Sequence, residues 1–156
     1  MIVVADTSPI NYLVQIGEPD LLHRLYREVI VPAAVVRELR AAKTPEVVRA
    51  WIEQAPFWVR IADPVELLEG LSFLDAGEHQ AISLAIRLQA DLLLIDEQTG
   101  RREARRLNLG VTGTLGVLKA SAEAGYLNLA NALERLSRTN FFISEQLKRA
   151  ILRTPD

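Results

Sequence analysis

Short apolar runs alternate along the chain with stretches of helical periodicity. The runs occupy residues 2–5, 29–31, 57–61, 92–95 and, more weakly, the neighbourhood of Val111. They lack internal polar alternation, the pattern of strands covered on both faces in a parallel sheet with crossover helices. Between them, Ser8 as N-cap and Pro9 at the first helical position predict a helix. Pro32 opens a second helix through Glu38 and Leu39, and Pro45 opens one with Val48, Trp51 and Ile52 on one side. From Gly77 to Gln89, apolar positions at Ala81, Ile82, Ala85, Ile86 and Leu88 follow the helical period. Further helices are predicted over about 97–107, 115–124, 129–136 and 144–152, with Gly110 and Gly125 as stop regions. This order predicts an α/β fold, three layers α/β/α around a central four- to five-stranded parallel sheet.

Length adds that residues 1–156 form one domain. A chain of this size buries roughly two-thirds of its unfolded surface, so no disulfide or structural metal is needed. There is no cysteine, and the only histidines are His23 and His79, which excludes thiolate chemistry and the usual zinc sites. The balance of 18 basic against 20 acidic side chains, net −2, excludes a uniformly basic nucleic-acid coat but not a local basic patch. The longest apolar stretch, residues 29–36, is broken by Pro32 and falls far short of the ~20 residues that span a bilayer. The opening Met-Ile-Val-Val-Ala-Asp has no positive n-region and is not a signal peptide. The expectation is a soluble, cytoplasmic protein without membrane contact.

The candidate chemistry is carboxylate chemistry. Asp6 directly follows the first predicted strand and Asp96 the strand ending at Ile95. In open parallel sheets, ligands bind at the carboxyl ends of strands, near the point where strand order reverses. If those two strands are neighbours, two carboxylates face one crevice. Glu78, in the first turn of the helix leading to the Leu92 strand, starts at the same end of the sheet. Glu38 lies about six residues past Pro32, or ~9 Å along a helix axis, so it reaches that edge only if the helix tilts or the side chain leans back.

Four such carboxylates repel one another. Two unit charges ~5 Å apart cost on the order of 3 kcal/mol at an effective dielectric of 20. Either some carry protons or a divalent cation neutralises them. An all-oxygen donor set favours Mg²⁺ or Mn²⁺ over zinc or copper. Such a cation can activate water against a phosphodiester, so the acids point to metal-dependent phosphoryl-bond hydrolysis. Each acid also has a plainer role: Asp6 shaping the turn before Ser8-Pro9, Asp96 capping the following helix, Glu78 complementing a helix dipole, Glu38 pairing with Arg37 or Arg40. Their joint pattern favours the site.

The densest basic cluster is Arg101-Arg102-Glu103-Ala104-Arg105-Arg106. Arg101 and Arg105 share one helix face, and Arg102 and Arg106 an adjacent one. These are candidate phosphate contacts, or a solvated face paired with nearby acids. Trp51, Phe57 and Trp58 are candidates for base stacking, core packing or an oligomer contact.

Taken together the chain resembles a PIN domain, the fold of VapC-like toxins and many other metal-dependent ribonucleases. The likeness is carried by Val3-Val4-Ala5-Asp6-Thr7-Ser8-Pro9-Ile10-Asn11, by Pro32 to Leu39 with Val36 and Glu38, and by Leu74-Asp75-Ala76-Gly77-Glu78-His79-Gln80-Ala81-Ile82. It continues through Leu94-Ile95-Asp96-Glu97 and Gly110-Val111-Thr112-Gly113-Thr114-Leu115-Gly116-Val117-Leu118, and covers about residues 1 to 150. It is nearest to a prokaryotic PIN-like subfamily without an assigned function. No single motif is diagnostic; their order and spacing are.

The resemblance implies a parallel sheet, a negatively charged pocket, one or two Mg²⁺ or Mn²⁺ ions and cleavage of single-stranded RNA. Asp6, Glu38, Glu78 and Asp96 match the family's acidic quartet. Asp6 and Asp96 would hold metal directly, with Glu78 and Glu38 acting through water or on the nucleophile. Asp75 could stand in for Glu78, and Glu97 adds an acid beside Asp96. Ser8 and Asn11 would neighbour the first carboxylate, and Thr112 and Thr114 would line the pocket. Family analogy further implies a possible toxin–antitoxin pairing, with a protein antitoxin over the pocket, and a homodimer using apolar residues around 21–26 and 47–51.

Competing enzymes fit less well. A haloacid-dehalogenase-type phosphotransferase needs a second aspartate two residues after the first, where Ser8 stands. A response-regulator receiver needs a lysine after its last strand, where Thr112-Gly113-Thr114 stand. The serious competitor is a catalytically silent PIN-like module that binds nucleic acid or acts as a scaffold.

Overall fold

Residues 1–153 are described in a computed structural model. Among the described residues the strands are β1 (Val3–Ala5), β2 (Val29–Pro32), β3 (Val59–Ala62), β4 (Leu92–Leu94) and β5 (Val111–Thr112). They form one sheet in the order β3-β2-β1-β4-β5, and every pairing is parallel. The chain steps outward from β1 to β3, then returns to the other side of β1 to lay down β4 and β5. Strand order therefore reverses between β1 and β4, the two strands that carry Asp6 and Asp96 beyond their ends. Val3, Val4 and Ala5 pair with Leu92, Leu93 and Leu94, and Asp6 N–H still donates to Leu94 O at 2.9 Å.

The uninterrupted apolar runs are explained by cover on both faces. Val3, Ala5 and Leu94 enter one core with Leu13, Leu22, Val35, Ile52, Leu118 and Leu133. Val4, Leu93 and Ile95 point the other way, into a second core with Leu74, Ile82, Ala85 and Ala104. This is the period-two alternation of a strand with two buried faces.

The helices are α1 (Thr7–Gln15), α2 (Asp20–Tyr26), α3 (Ala33–Leu39), α4 (Glu46–Glu53) and α5 (Ala76–Arg87), followed by α6 (Gln98–Arg106), α7 (Thr114–Glu123), α8 (Leu129–Ser137) and α9 (Glu145–Arg153). The first core takes its helical side chains from α1, α2, α3, α4, α7 and α8; the second takes them from α5 and α6. Three layers result.

Several boundaries differ from the sequence expectation. Asp6, not Ser8, is the N-cap residue of α1, because the helix begins as soon as β1 ends. Pro32 and Pro45 stand at the N-cap positions of α3 and α4 rather than inside them, both with extended ψ. Strand β3 starts at Val59, leaving Phe57 87% exposed ahead of it. Helix α2 lies in a stretch where the sequence predicts no element, and its Leu21 and Leu22 are buried in the core. In α4 Val48 is likewise core, while Val47 is exposed. Among the described residues no helix is long and apolar enough to cross a membrane.

Candidate active site

The carboxyl edge of the sheet gathers the acids. Asp6 caps α1 from the end of β1 and is only 5% exposed. Its Oδ1 is buried and, among the described residues, has no hydrogen-bond partner. Burial is the main force pushing its acidity to a pKa of about 8; the Thr7 N–H opposes, and the charges of Asp75, Glu78 and Glu38 add to the rise. A buried polar atom left bare is rare, since it loses water without gaining a partner.

Glu78 is buried at the third position of α5, where Asp75 and Glu78 make a capping box. Asp75 Oδ1 accepts from Glu78 N–H at 2.8 Å, while Glu78 Oε1 receives only a long 3.4 Å contact from Asp75 N–H. Burial, then the Asp75 charge, raises Glu78 to a pKa of about 7. Asp75 thus shapes the helix start and adds negative charge beside Asp6 and Glu78.

Glu38 solves its reach by leaning across two helix starts. Its Oε1 accepts from Gly77 N–H at 3.1 Å, and its Oε2 accepts from the Thr7 hydroxyl. Neither Arg37 nor Arg40 is its partner; Arg40 pairs with Glu53 at 3.0 Å. Asp96 is held from the other flank: Thr114 N–H donates to Oδ1 at 2.7 Å and the Thr114 hydroxyl to Oδ2 at 2.6 Å. Burial raises its pKa, against which Thr114 and the Arg101 charge both act. Asp96 is therefore not the cap of α6, whose N-cap residue is Glu97.

The four acids thus differ in state. Glu38 and Asp96 have both oxygens engaged, whereas Asp6 has a bare oxygen and Glu78 a weakly held one. An oxygen-only donor set, one uncompensated buried oxygen and the negative charges of Asp75, Glu78 and Glu38 fit a hard divalent cation. Among the described residues, no group of three acids is arranged to hold one ion directly. A cation bound through one or two carboxylates and several waters is the form that suits Mg²⁺.

Glycines make the approaches possible. A Cβ on Gly77 would stand 2.6 Å from Glu38 Oε1, and one on Gly100 would stand 2.6 Å from Ile95 Cδ1 and 3.5 Å from Glu78 Oε2. A Cβ on Gly113 would collide with Asp96 Oδ1. These glycines and Thr7 belong to the site although sequence reasoning assigned them no role there. Gly77 and Gly113 lie inside the family-like stretches, and Thr7 directly follows the strand-ending acid, which were the available signals.

The polar neighbours divide. Asn11 lines a cavity of about 460 Å³ beside Thr7, and Thr112 lines a second cavity of about 510 Å³ beside Asp96. Thr114 is fully buried under Asp96. Ser8 is half-buried in the first turn of α1 and lines neither cavity. The arginine run divides as well. Arg101 is half-buried at the second cavity and donates to Ile95 O at 2.9 Å; burial and then Arg105 lower its basicity, with Asp96 opposing. Arg102 and Arg105 are exposed, and Arg106 binds Glu103 at 2.8 Å. Trp58 is buried, and Phe57 stands ahead of β3 at the amino edge of the sheet, opposite the acids. Base stacking at this site by either ring is excluded by that placement.

A family model described as a PIN domain matches residues 2–155. Among solved structures, the chain is similar to a PilT N-terminus domain protein from the hyperthermophilic archaeon Sulfolobus solfataricus. The TM-score is 0.52 at 18% sequence identity, over 86% of this chain and 95% of that one, a likeness of fold. No curated protein sequence matches.

Proposed function

The chain belongs to the PIN-domain family, and from that premise we propose that it is a metal-dependent endoribonuclease acting on single-stranded RNA. The observation that carries the reading is the bare, buried Asp6 oxygen among Asp75, Glu78 and Glu38. Asp6, with its bare oxygen, and Glu78, with a weakly held one, would hold Mg²⁺ or Mn²⁺, and Asp96 and Glu38, each oxygen of which accepts one hydrogen bond, border them on either flank. When bound, the cation would supply charge neutralisation at the phosphate and a more acidic water.

The chain's own groups do the rest. In the metal-free fold Glu78 has a pKa of about 7, so it must lose a proton before it can hold a cation, and binding there should strengthen as pH rises. Asp96 is held in place by the Thr114 N–H and hydroxyl, which donate to its two oxygens, so it would position the groups on its flank of the site. Arg101, beside Asp96, provides the positive charge nearest to that flank, and exposed Arg102 and Arg105 add long-range attraction for a polyanion. Arg106, bound to Glu103, contributes less. A toxin role, with a protein antitoxin and a homodimer, belongs to this proposal on family grounds alone, and so does a cytoplasmic setting.

One observation favours a silent RNA-binding module instead: no three acids are arranged for direct metal binding among the described residues. The two readings separate in one assay. A mixed single-stranded RNA pool is incubated with Mn²⁺, Mg²⁺ or EDTA, using wild type, Asp6→Asn and Asp96→Asn. The nuclease reading requires metal-dependent cutting that both substitutions abolish. Binding without cutting supports the module, and equal cutting by all three proteins refutes the site.

A further inference from the structure

Two cavities flank the acids, and they differ in chemistry. The 510 Å³ cavity beside Asp96 has an apolar wall that includes Phe141 and Phe142. The 460 Å³ cavity begins at the opposite end of the acid row, against Glu38. Thr7, whose hydroxyl binds Glu38 Oε2, lines it, and so does Thr44, whose hydroxyl donates to Glu38 O at 2.7 Å. Both volumes lie within the range of small-ligand pockets.

The Glu38 cavity has a wall unlike a void between packed helices. Thr7, Asn11 and Gln15 repeat every four residues along α1 and present a polar stripe to it. Opposite stand Lys43, from the turn after α3, and Arg138, from the end of α8. Among the described residues no acidic side chain lines it, in a protein of net charge −2. Lys43 and Arg138 are exposed, and Arg138 makes a surface contact with Glu134 at 3.3 Å. Asn140 completes the far side, its Oδ1 accepting from the Tyr12 hydroxyl at 2.8 Å. The Tyr12 ring in turn packs edge-on against Phe141 of the Asp96 cavity, centroids 5.0 Å apart, so the Tyr12–Asn140 pair links the two cavities.

We propose that the Glu38 cavity is a nucleotide subsite that binds the single-stranded RNA segment on one side of the scissile phosphate, with Lys43 and Arg138 holding its backbone. The amides of Asn11 and Gln15 have the donors and acceptors to meet a base edge, and Gln15 Nε2 donates to Asn11 Oδ1 at 3.1 Å, which fixes their orientation. Cations at the rim and amides along the floor match the division between phosphate positioning and base reading in nucleic-acid recognition. The inference rests on the nuclease reading above, and it moves the main backbone contact from the α6 arginines to the opposite flank.

The test is equilibrium binding of a short fluorescent single-stranded RNA in Ca²⁺, over a salt series, with intact RNA length checked at the end. Wild type is compared with Lys43→Ala/Arg138→Ala and with Arg102→Ala/Arg105→Ala; all four positions are exposed, so the fold is retained. Each single-strand phosphate contact contributes about 0.7 to the salt slope, equivalent to roughly 5-fold in Kd at about 0.1 M salt. The cavity pair should therefore lose about 1.4 in slope and roughly 25-fold in affinity. An unchanged slope and affinity in Lys43→Ala/Arg138→Ala, with wild type binding normally, overturns the subsite and leaves the nuclease reading standing. Failure of wild type to bind RNA overturns both.

Discussion

Replacing Asp6 by asparagine should stabilise the metal-free protein, and by more as pH rises. The side chain is 5% exposed with one bare oxygen, and its pKa of about 8 in the fold compares with 3.8 in the unfolded chain. Between those values the folded protein keeps a proton that the unfolded chain has lost. Stability contributed by this group is therefore complete below pH ~4, falls as pH rises and is lost above pH ~8. The limiting slope is about 1.4 kcal/mol per pH unit, with a ceiling on the order of 5 kcal/mol. Water entry and side-chain relaxation reduce that, leaving about 2–3 kcal/mol between pH 5 and pH 8. For a domain of this size that is a melting-temperature gap of roughly 5–10 °C. Asparagine preserves the shape without the ionisation, and Glu78 is common to both proteins. The assay is thermal melting by circular dichroism in EDTA, every half pH unit from 5 to 8.5. The Asp6→Asn curve should pull away above the wild-type curve with rising pH. Parallel curves would refute the claim that burial strains the Asp6 carboxylate.

Other perturbations separate positioning from stability. Gly113→Ala drives a methyl group against Asp96 Oδ1, and displacement of about 1 Å at a reacting centre lowers turnover on the order of 100-fold, read as initial rates of RNA cleavage. Thr114→Val removes the hydroxyl bound to Asp96 Oδ2; denaturant melts should show a loss of about 1–3 kcal/mol, with cleavage falling as well. Asn11→Ala and Gln15→Ala should alter which sequences are cut in a sequenced product pool while leaving the salt slope of binding unchanged.

The sheet was legible because both of its faces are buried: Val3-Val4-Ala5 and Leu92-Leu93-Leu94 had no polar alternation to blur them. The pairing of β1 with β4, inferred only conditionally from strand-ending acids, is the contact that brings Asp6 and Asp96 to one edge. Helix α2 escaped notice because seven residues without a capping side chain give little periodicity to read. The placement of Glu38 was open for a different reason. Its six-residue offset from Pro32 suggested a helix too far from the edge, and only the tertiary approach of Gly77 and Thr7 supplies donors within its reach. The same holds for Gly100 and Gly113, whose value lies in distances to Ile95 and Asp96 that no local pattern encodes. The arginine run looked like a uniform patch, yet packing buries half of Arg101 and ties Arg106 to Glu103.

The bare Asp6 oxygen is the proposed seat of a divalent cation. Calorimetric titration of Mn²⁺ into wild type and Asp6→Asn at pH 6, 7 and 8 tests it most directly. With Asp6 holding its proton up to a pKa of about 8 and Glu78 up to about 7, metal binding must release both, so wild-type affinity should rise by up to about a hundredfold per pH unit below pH 7 and up to about tenfold from pH 7 to 8. Asp6→Asn should show no binding heat at any of the three pH values while melting at or above the wild-type temperature. Equal Mn²⁺ affinity in the two proteins, or an affinity independent of pH, would contradict the account.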